Sequence, residues 1–117
     1  MALRLATDDD WHAMFGIPAP GRWFGMVEAN DWMIEGLGAI YLGTDDKWWM
    51  TFQRAPGVRK VKTAHAGAMK LLAAAREQGL EIHAIAHPEI RGAEMWLKRL
   101  GFAPELKHGE VDIWLTR

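Results

Sequence analysis

The 117-residue chain is half apolar, carries a formal net charge of −1 and contains no cysteine. That length suits a single domain over residues 1–117, burying roughly 65% of its unfolded surface without help from metals or disulfides. Missing thiols exclude disulfides and thiolate metal centres and suit a reducing cytoplasm, and no apolar run approaches the roughly 20 residues that span a bilayer.

Leu3–Ala6 predicts a short strand, and Thr7 or Asp8 a cap for a brief helix through about Phe15. Asp8, Asp9 and Asp10 stand where a signal peptide needs its apolar stretch, so the protein is expected to stay in the cytoplasm. Gly16 to Gly21, with Pro18 and Pro20, reads as a loop. Trp23–Ala29 predicts a strand, Asn30-Asp31 a turn, and Trp32–Leu42 a longer strand that Gly36 and Gly38 interrupt, as at a bulge. After a turn at Gly43–Asp46, Lys47–Arg54 completes an antiparallel meander. The period then changes. From Val61, apolar residues recur at 61, 64, 68, 71, 72 and 75, the spacing of one helical face, and Gly79 follows as a stop. Leu80–Ala86 alternates as a strand. Pro88 suits the first position of a second helix whose stripe is Ile90, Ala93, Trp96, Leu97 and Leu100, ended by Gly101. Glu110–Thr116 is the last predicted strand. The order β-α-β-β-β-α-β-α-β describes an α+β domain, its mixed and mostly antiparallel sheet covered by helices.

Seven tryptophans are many for this length. Wide rings filling a small core account for most of them, while the adjacent Trp48 and Trp49 leave room for a groove or a homodimer contact. On a strand those neighbours face opposite sides, so at most one points at the main core. Charge is uneven. Residues 1–50 hold eight acids against three Lys/Arg, whereas Arg54 to Arg76 holds six basic residues and no acid. A local positive field on a near-neutral protein suits a small anionic ligand better than nucleic acid, and the Arg59–Lys62 run lacks the interleaved aromatics of a strand binder.

The segment from strand through basic turn, long helix, strand and short helix ending Ala93-Glu94-Met95-Trp96-Leu97-Lys98-Arg99-Leu100-Gly101-Phe102 resembles the GCN5-related N-acetyltransferase (GNAT) superfamily. The Leu100-Gly101-Phe102 run carries much of the likeness, and Leu3 to Trp11 is similar to the family's first strand and acid-rich helix entry. The second helix of the family's usual first pair has no counterpart in Gly16–Arg22. The resemblance implies a GNAT-like acyl-CoA N-acyltransferase fold and, as acyl donor, acetyl-CoA or another acyl-CoA. It also implies an amine acceptor, either a small molecule or a protein. In the family, a loop of the form Gln/Arg-x-x-Gly-x-Gly/Ala at a helix N-terminus holds the diphosphate. Here that loop reads Arg59-Lys60-Val61-Lys62-Thr63-Ala64, with Lys62 where the family has glycine. The shifted register Arg54 to Arg59 restores a glycine at 57 but loses the last position. The resemblance further implies that backbone groups of Phe52, Gln53 and Arg54 pair with the pantetheine arm.

Catalytic residues are left open. Leu97 occupies the position of the family's tyrosine and Ile90 that of its asparagine, and neither can do their chemistry. His87 and Glu35 are candidate bases, each also readable as an ordinary polar strand residue. His83 and His87 share a strand face about 13 Å apart, too far to share a metal, so no metal is expected. The alternative to an enzyme is a GNAT-fold binding or structural module. Compact, motif-poor proteins of this kind occur among phage and prophage products, some of them associated with virions.

Overall fold

Strands that alternate apolar residues on both faces need cover on both faces, and three helices supply it. The computed structural model describes residues 2–30, 33–55, 57, 63–86, 92–108 and 111–116. In chain order these form β1 (Ala2–Leu5), α1 (Asp8–Phe15), β2 (Trp23–Ala29), β3 (Ile34–Leu42), β4 (Trp48–Arg54) and α2 (Ala64–Glu77). Then follow β5 (Ile82–Ala86), α3 (Ala93–Leu100), β6 (Phe102–His108) and β7 (Val111–Thr116). The strands make one sheet in the order β1-β2-β3-β4-β5-β7-β6. Every neighbouring pair is antiparallel except β4 and β5.

The α+β reading and the mixed, mostly antiparallel sheet stand, with two corrections. A strand at Phe102–His108 went unpredicted, because Pro104 and the polar Glu105, Lys107 and His108 read as loop. It lies at the sheet edge with a register shift between Pro104 and Leu106, where a proline removes no interior ladder bond. Nor do Gly36 and Gly38 interrupt β3. They keep register with Glu28 and Met26 on one side and Arg54 and Phe52 on the other, and the irregularity falls at Glu28/Ala29. Gly38 serves packing instead, since a Cβ there would already touch Leu71 of α2 at 3.5 Å. Val61, Pro88 and Ile90, read as helical, lie outside the described residues, and α2 and α3 begin at Ala64 and Ala93.

Two apolar layers sandwich the sheet. On one face Leu71, Leu72 and Ala75 of α2 and Leu97 and Leu100 of α3 pack against Ile40, Ile82 and Ala84, with Trp48 and Met50 at the margin. On the other, Trp11 of α1 packs against Val27, Leu37 and Ala39. Trp11 also meets the rings of Phe15, Trp23 and Tyr41 at centroid distances of 4.4, 5.1 and 5.7 Å. Trp48 and Trp49 divide between the faces, as alternation demands. Among the described residues no helix is long and apolar enough to cross a membrane.

The start of α1 is fixed by charge. Thr7 and Asp10 form a capping box, and Arg4 donates to both Asp10 oxygens at 2.7 and 3.0 Å. The Arg4 hydrogen bonds, assisted by Thr7 against the opposing effect of burial, hold the Asp10 carboxyl down at about 2 from its ordinary 3.8. A depressed carboxyl contributes stability above its unfolded value, and that contribution is lost as pH falls from about 4 through about 2. Because Arg4 is half exposed, we expect Asp10→Asn to cost about 1–2 kcal/mol at neutral pH and to flatten the acid limb of the stability curve. Urea melts at neutral and acid pH check both effects.

Candidate functional site

The ladder between β3 and β4 decides which backbone groups are available elsewhere. Ala55 N–H donates to Glu35 C=O at 2.9 Å at one end, and Gly43 N–H to Lys47 C=O at 2.8 Å at the other. In an antiparallel pair, bonded and non-bonded registers alternate. The continuous register therefore turns the backbone groups of Trp49, Thr51 and Gln53 toward β3, and those of Trp48, Met50 and Phe52 toward β5. His83 Nδ1, 3.3 Å from the Trp48 carbonyl oxygen, agrees with that assignment. Among the described residues β4 and β5 pair only at Trp48↔Ile82 and Trp49↔His83. Past that register the two parallel strands part, and the N–H and C=O of Phe52 face the gap.

Beside the gap lies the start of α2. Its N-cap, Thr63, makes no capping bond to the helix, and the first turn carries no acid. The Thr63 hydroxyl instead donates to Glu28 Oε1 at 2.8 Å. Among the described residues no side chain caps the initial N–H groups of α2, and the carboxylate beside the helix start is that of Glu28, held by Thr63. Glu28 is 2% exposed, and its Oε2 has no partner among the described residues.

A groove of about 340 Å³, its open mouth included, joins these features. Its floor is Met26, Glu28, Gly36, Gly38, Met50 and Phe52, and its walls include Thr63, Ala64 and Gly67 of α2 and Trp96 of α3. The glycines supply the depth. Trp96 closes one end, meeting the Phe52 ring edge-on at 5.7 Å and donating its indole N–H to His65 Nδ1 at 3.2 Å.

Of the residues singled out in the sequence, Phe52, Gln53 and Arg54 lie on β4, and Thr63 and Ala64 at the head of α2. Phe52, Thr63 and Ala64 meet at the groove, whereas the backbone of Gln53 serves the β3 ladder. Arg59, Lys60, Val61 and Lys62, like His87, lie outside the described residues. Glu35 accepts from Asn30 Nδ2 at 3.0 Å beside the β2–β3 turn. Leu97 is 6% exposed and belongs to the core. Tyr41 lies in a lateral row with Trp49 and His83, and burial first, then the charge of Asp45, raises its hydroxyl above the usual range. Among the described residues no cluster of His, Asp or Glu is arranged to hold a metal.

Glu28, which lines the groove, was not singled out in the sequence. A signal existed for Glu28, because Phe24, Met26 and Glu28 form one face of β2, which puts an acid in series with two core residues. His83 was weighed only as a metal ligand. Its placement beside Trp49 follows from the parallel register, which a single sequence does not reveal.

No protein-family profile matches the chain, and no curated protein matches it. Solved structures do. The ribosomal-protein alanine N-acetyltransferase of Escherichia coli superimposes with a TM-score of 0.72 at 10% identity, over 98% of this chain and 92% of that one. An acetyltransferase of Bacillus subtilis in complex with CoA gives 0.66 at 8% identity, over 97% and 96%. The PaiA N-acetyltransferase of Thermoplasma acidophilum, in complex with coenzyme A, gives 0.62 at 14% identity. That superposition covers 81% of this chain but 59% of the Thermoplasma protein, so the chain spans about three fifths of its length. With near-complete overlap on two of these structures, the chain adopts the fold of the GCN5-related N-acetyltransferases.

Proposed function

We propose that the protein transfers an acyl group from acyl-CoA, acetyl-CoA in the first instance, to a primary amine. The observation that carries this reading is the parting of β4 and β5 after Trp49↔His83, directly beside the uncapped start of α2. A diphosphate suits that helix start, where unpaired N–H groups and the helix dipole both favour an anion. The basic residues Arg59, Lys60 and Lys62 precede it in sequence and supply charge of the right sign. A slender amide-bearing arm suits the groove leading on to Phe52, whose N–H would polarise the thioester carbonyl at the gap. CoA is present in two of the superimposed proteins, which supports the same class of cofactor here.

The described residues fit the arm of such a ligand in character: a largely apolar channel with a glycine floor, Thr63 and Ala64 at the helix start and the backbone of Phe52 at the gap. When bound, the cofactor supplies an activated acyl group. The chain's own part is to seat the anion, align the carbonyl against Phe52 and keep water out with Trp96 and Phe52. Leu97, an apolar core residue where the family has tyrosine, favours a second reading in which the protein binds the cofactor without turnover.

Millimolar acetyl-CoA should raise the melting temperature, corresponding to roughly 2.7 kcal/mol at a hundredfold excess over Kd. Lys62→Gly should alter that shift. A melting curve indifferent to acetyl-CoA in both proteins defeats the cofactor reading. A shift with no thiol release on any amine selects the binding module.

A further inference from the structure

We infer that Glu28 accepts a hydrogen bond from the pantoate end of the acyl-CoA arm, the end next to the diphosphate, an assignment that rests on the acyltransferase reading above. Among the described residues three polar side chains line the groove: Glu28, Thr63 and Trp96. The Thr63 hydroxyl donates to Glu28 Oε1 at 2.8 Å and the Trp96 indole N–H to His65 Nδ1 at 3.2 Å, so both side-chain donors are already engaged. Glu28 Oε2 is enclosed and has no hydrogen-bond partner among the described residues. The other lining side chains, Met26, Met50, Phe52 and Leu71 among them, are apolar. What the side chains leave for a ligand is therefore an acceptor, and the group that completes it brings an N–H or O–H of its own.

Position selects the donor. Glu28, Gly36 and Arg54 form one lateral row of the sheet, and Met26, Gly38 and Phe52 form the next row on the same face. With glycine at both β3 positions, no β3 side chain stands between Glu28 and Phe52. The two residues lie two strands and two positions apart, about 12 Å at ~4.8 Å per strand and ~3.3 Å per residue. With the thioester carbonyl at the Phe52 N–H, the donor for Oε2 belongs about that far up the arm. The amide nearest the sulfur is about four bonds from the thioester carbon, roughly 5 Å, and falls short. The pantoate amide N–H and hydroxyl, about eight and eleven bonds away, lie at roughly 9–13 Å in an extended arm. That end of the arm adjoins the diphosphate, just as Glu28 adjoins the start of α2 through Thr63. A carboxylate oxygen makes the stronger, charge-assisted kind of hydrogen bond.

The test is a cycle between protein and ligand. Wild type and Glu28→Gln are titrated calorimetrically with acetyl-CoA and with two analogues. One analogue lacks the pantoate hydroxyl, and the other carries an ester oxygen in place of the pantoate amide N–H. Gln keeps a carbonyl oxygen for Thr63 and sets an NH₂ donor in place of Oε2. The expected result is an affinity for acetyl-CoA about 10–100-fold lower in Glu28→Gln. Wild type should lose a similar factor with one of the analogues, a change to which Glu28→Gln is indifferent. Equal affinity of the two proteins for acetyl-CoA overturns the assignment and leaves the cofactor reading intact. Analogue losses of the same size in both proteins also overturn it. The wild-type half of the cycle needs no variant, and a wild type that binds acetyl-CoA and both analogues equally well overturns it too. A wild type that does not bind acetyl-CoA defeats the cofactor reading and this assignment together.

Discussion

Leu72→Ala should lower the unfolding free energy by about 2–5 kcal/mol, the range for removing a fully enclosed leucine. Leu72 is 1% exposed and sits in the layer where α2 and α3 meet the sheet, among Ile40, Ile82 and Leu100. All four are 1% exposed or less, so neither helix nor sheet has slack to refill the void. Met69, three residues earlier on the same helix, is 40% exposed, and Met69→Ala should change stability by no more than about 0.5 kcal/mol. Urea melts of the two variants with equal slopes give the comparison. Equal losses at both positions would mean that α2 is not seated as described.

Ala66→Glu should separate helix stability from ligand binding by moving them in opposite directions. Ala66 is exposed in the first turn of α2, a turn with no acid and no side-chain cap. A carboxylate there complements the helix dipole and should stabilise the unliganded protein by about 0.3–1 kcal/mol. The same charge faces any diphosphate drawn to that helix start, and we expect affinity for acetyl-CoA to fall at least about tenfold, near 1.4 kcal/mol. Ala66→Lys should do the reverse on both counts. Calorimetric titration with acetyl-CoA, paired with melting of the free protein, reads the two effects separately. Unchanged affinity in Ala66→Glu would place the anion elsewhere.

Most of the architecture was legible because periodicity reports burial. Ala68, Leu71, Leu72 and Ala75 declared α2 through their spacing and are its buried face. Leu97 and Leu100 did the same for α3. What failed was local chemistry at an edge: a proline forbids an interior strand but not an outer one, and sequence does not say which strand is outermost. The site was less legible. Thr63 and Ala64, singled out through the family likeness, do lie at the helix start beside the groove, since a helix entry is a local feature. Phe52 over Gln53 could not be chosen, because which residue points its backbone at the gap depends on the β3–β4 register. Glu28 and Thr63 lie 35 positions apart in the chain, and their hydrogen bond exists only once α2 lies across the sheet.

The single parallel seam between β4 and β5 has a consequence for how the molecule loosens. Strands β1 to β4 form one antiparallel block, and β5, β7 and β6 a second, but among the described residues two register pairs are all that the blocks share through the sheet. Cohesion between them falls to α2, which packs on β2 and β3 while its core layer reaches Ile82 and Leu100. Hydrogen exchange should therefore resolve two cooperative units, with amides along the seam opening before those inside either block. A molecule bound across the gap would act as a clasp, merging two subglobal openings into one.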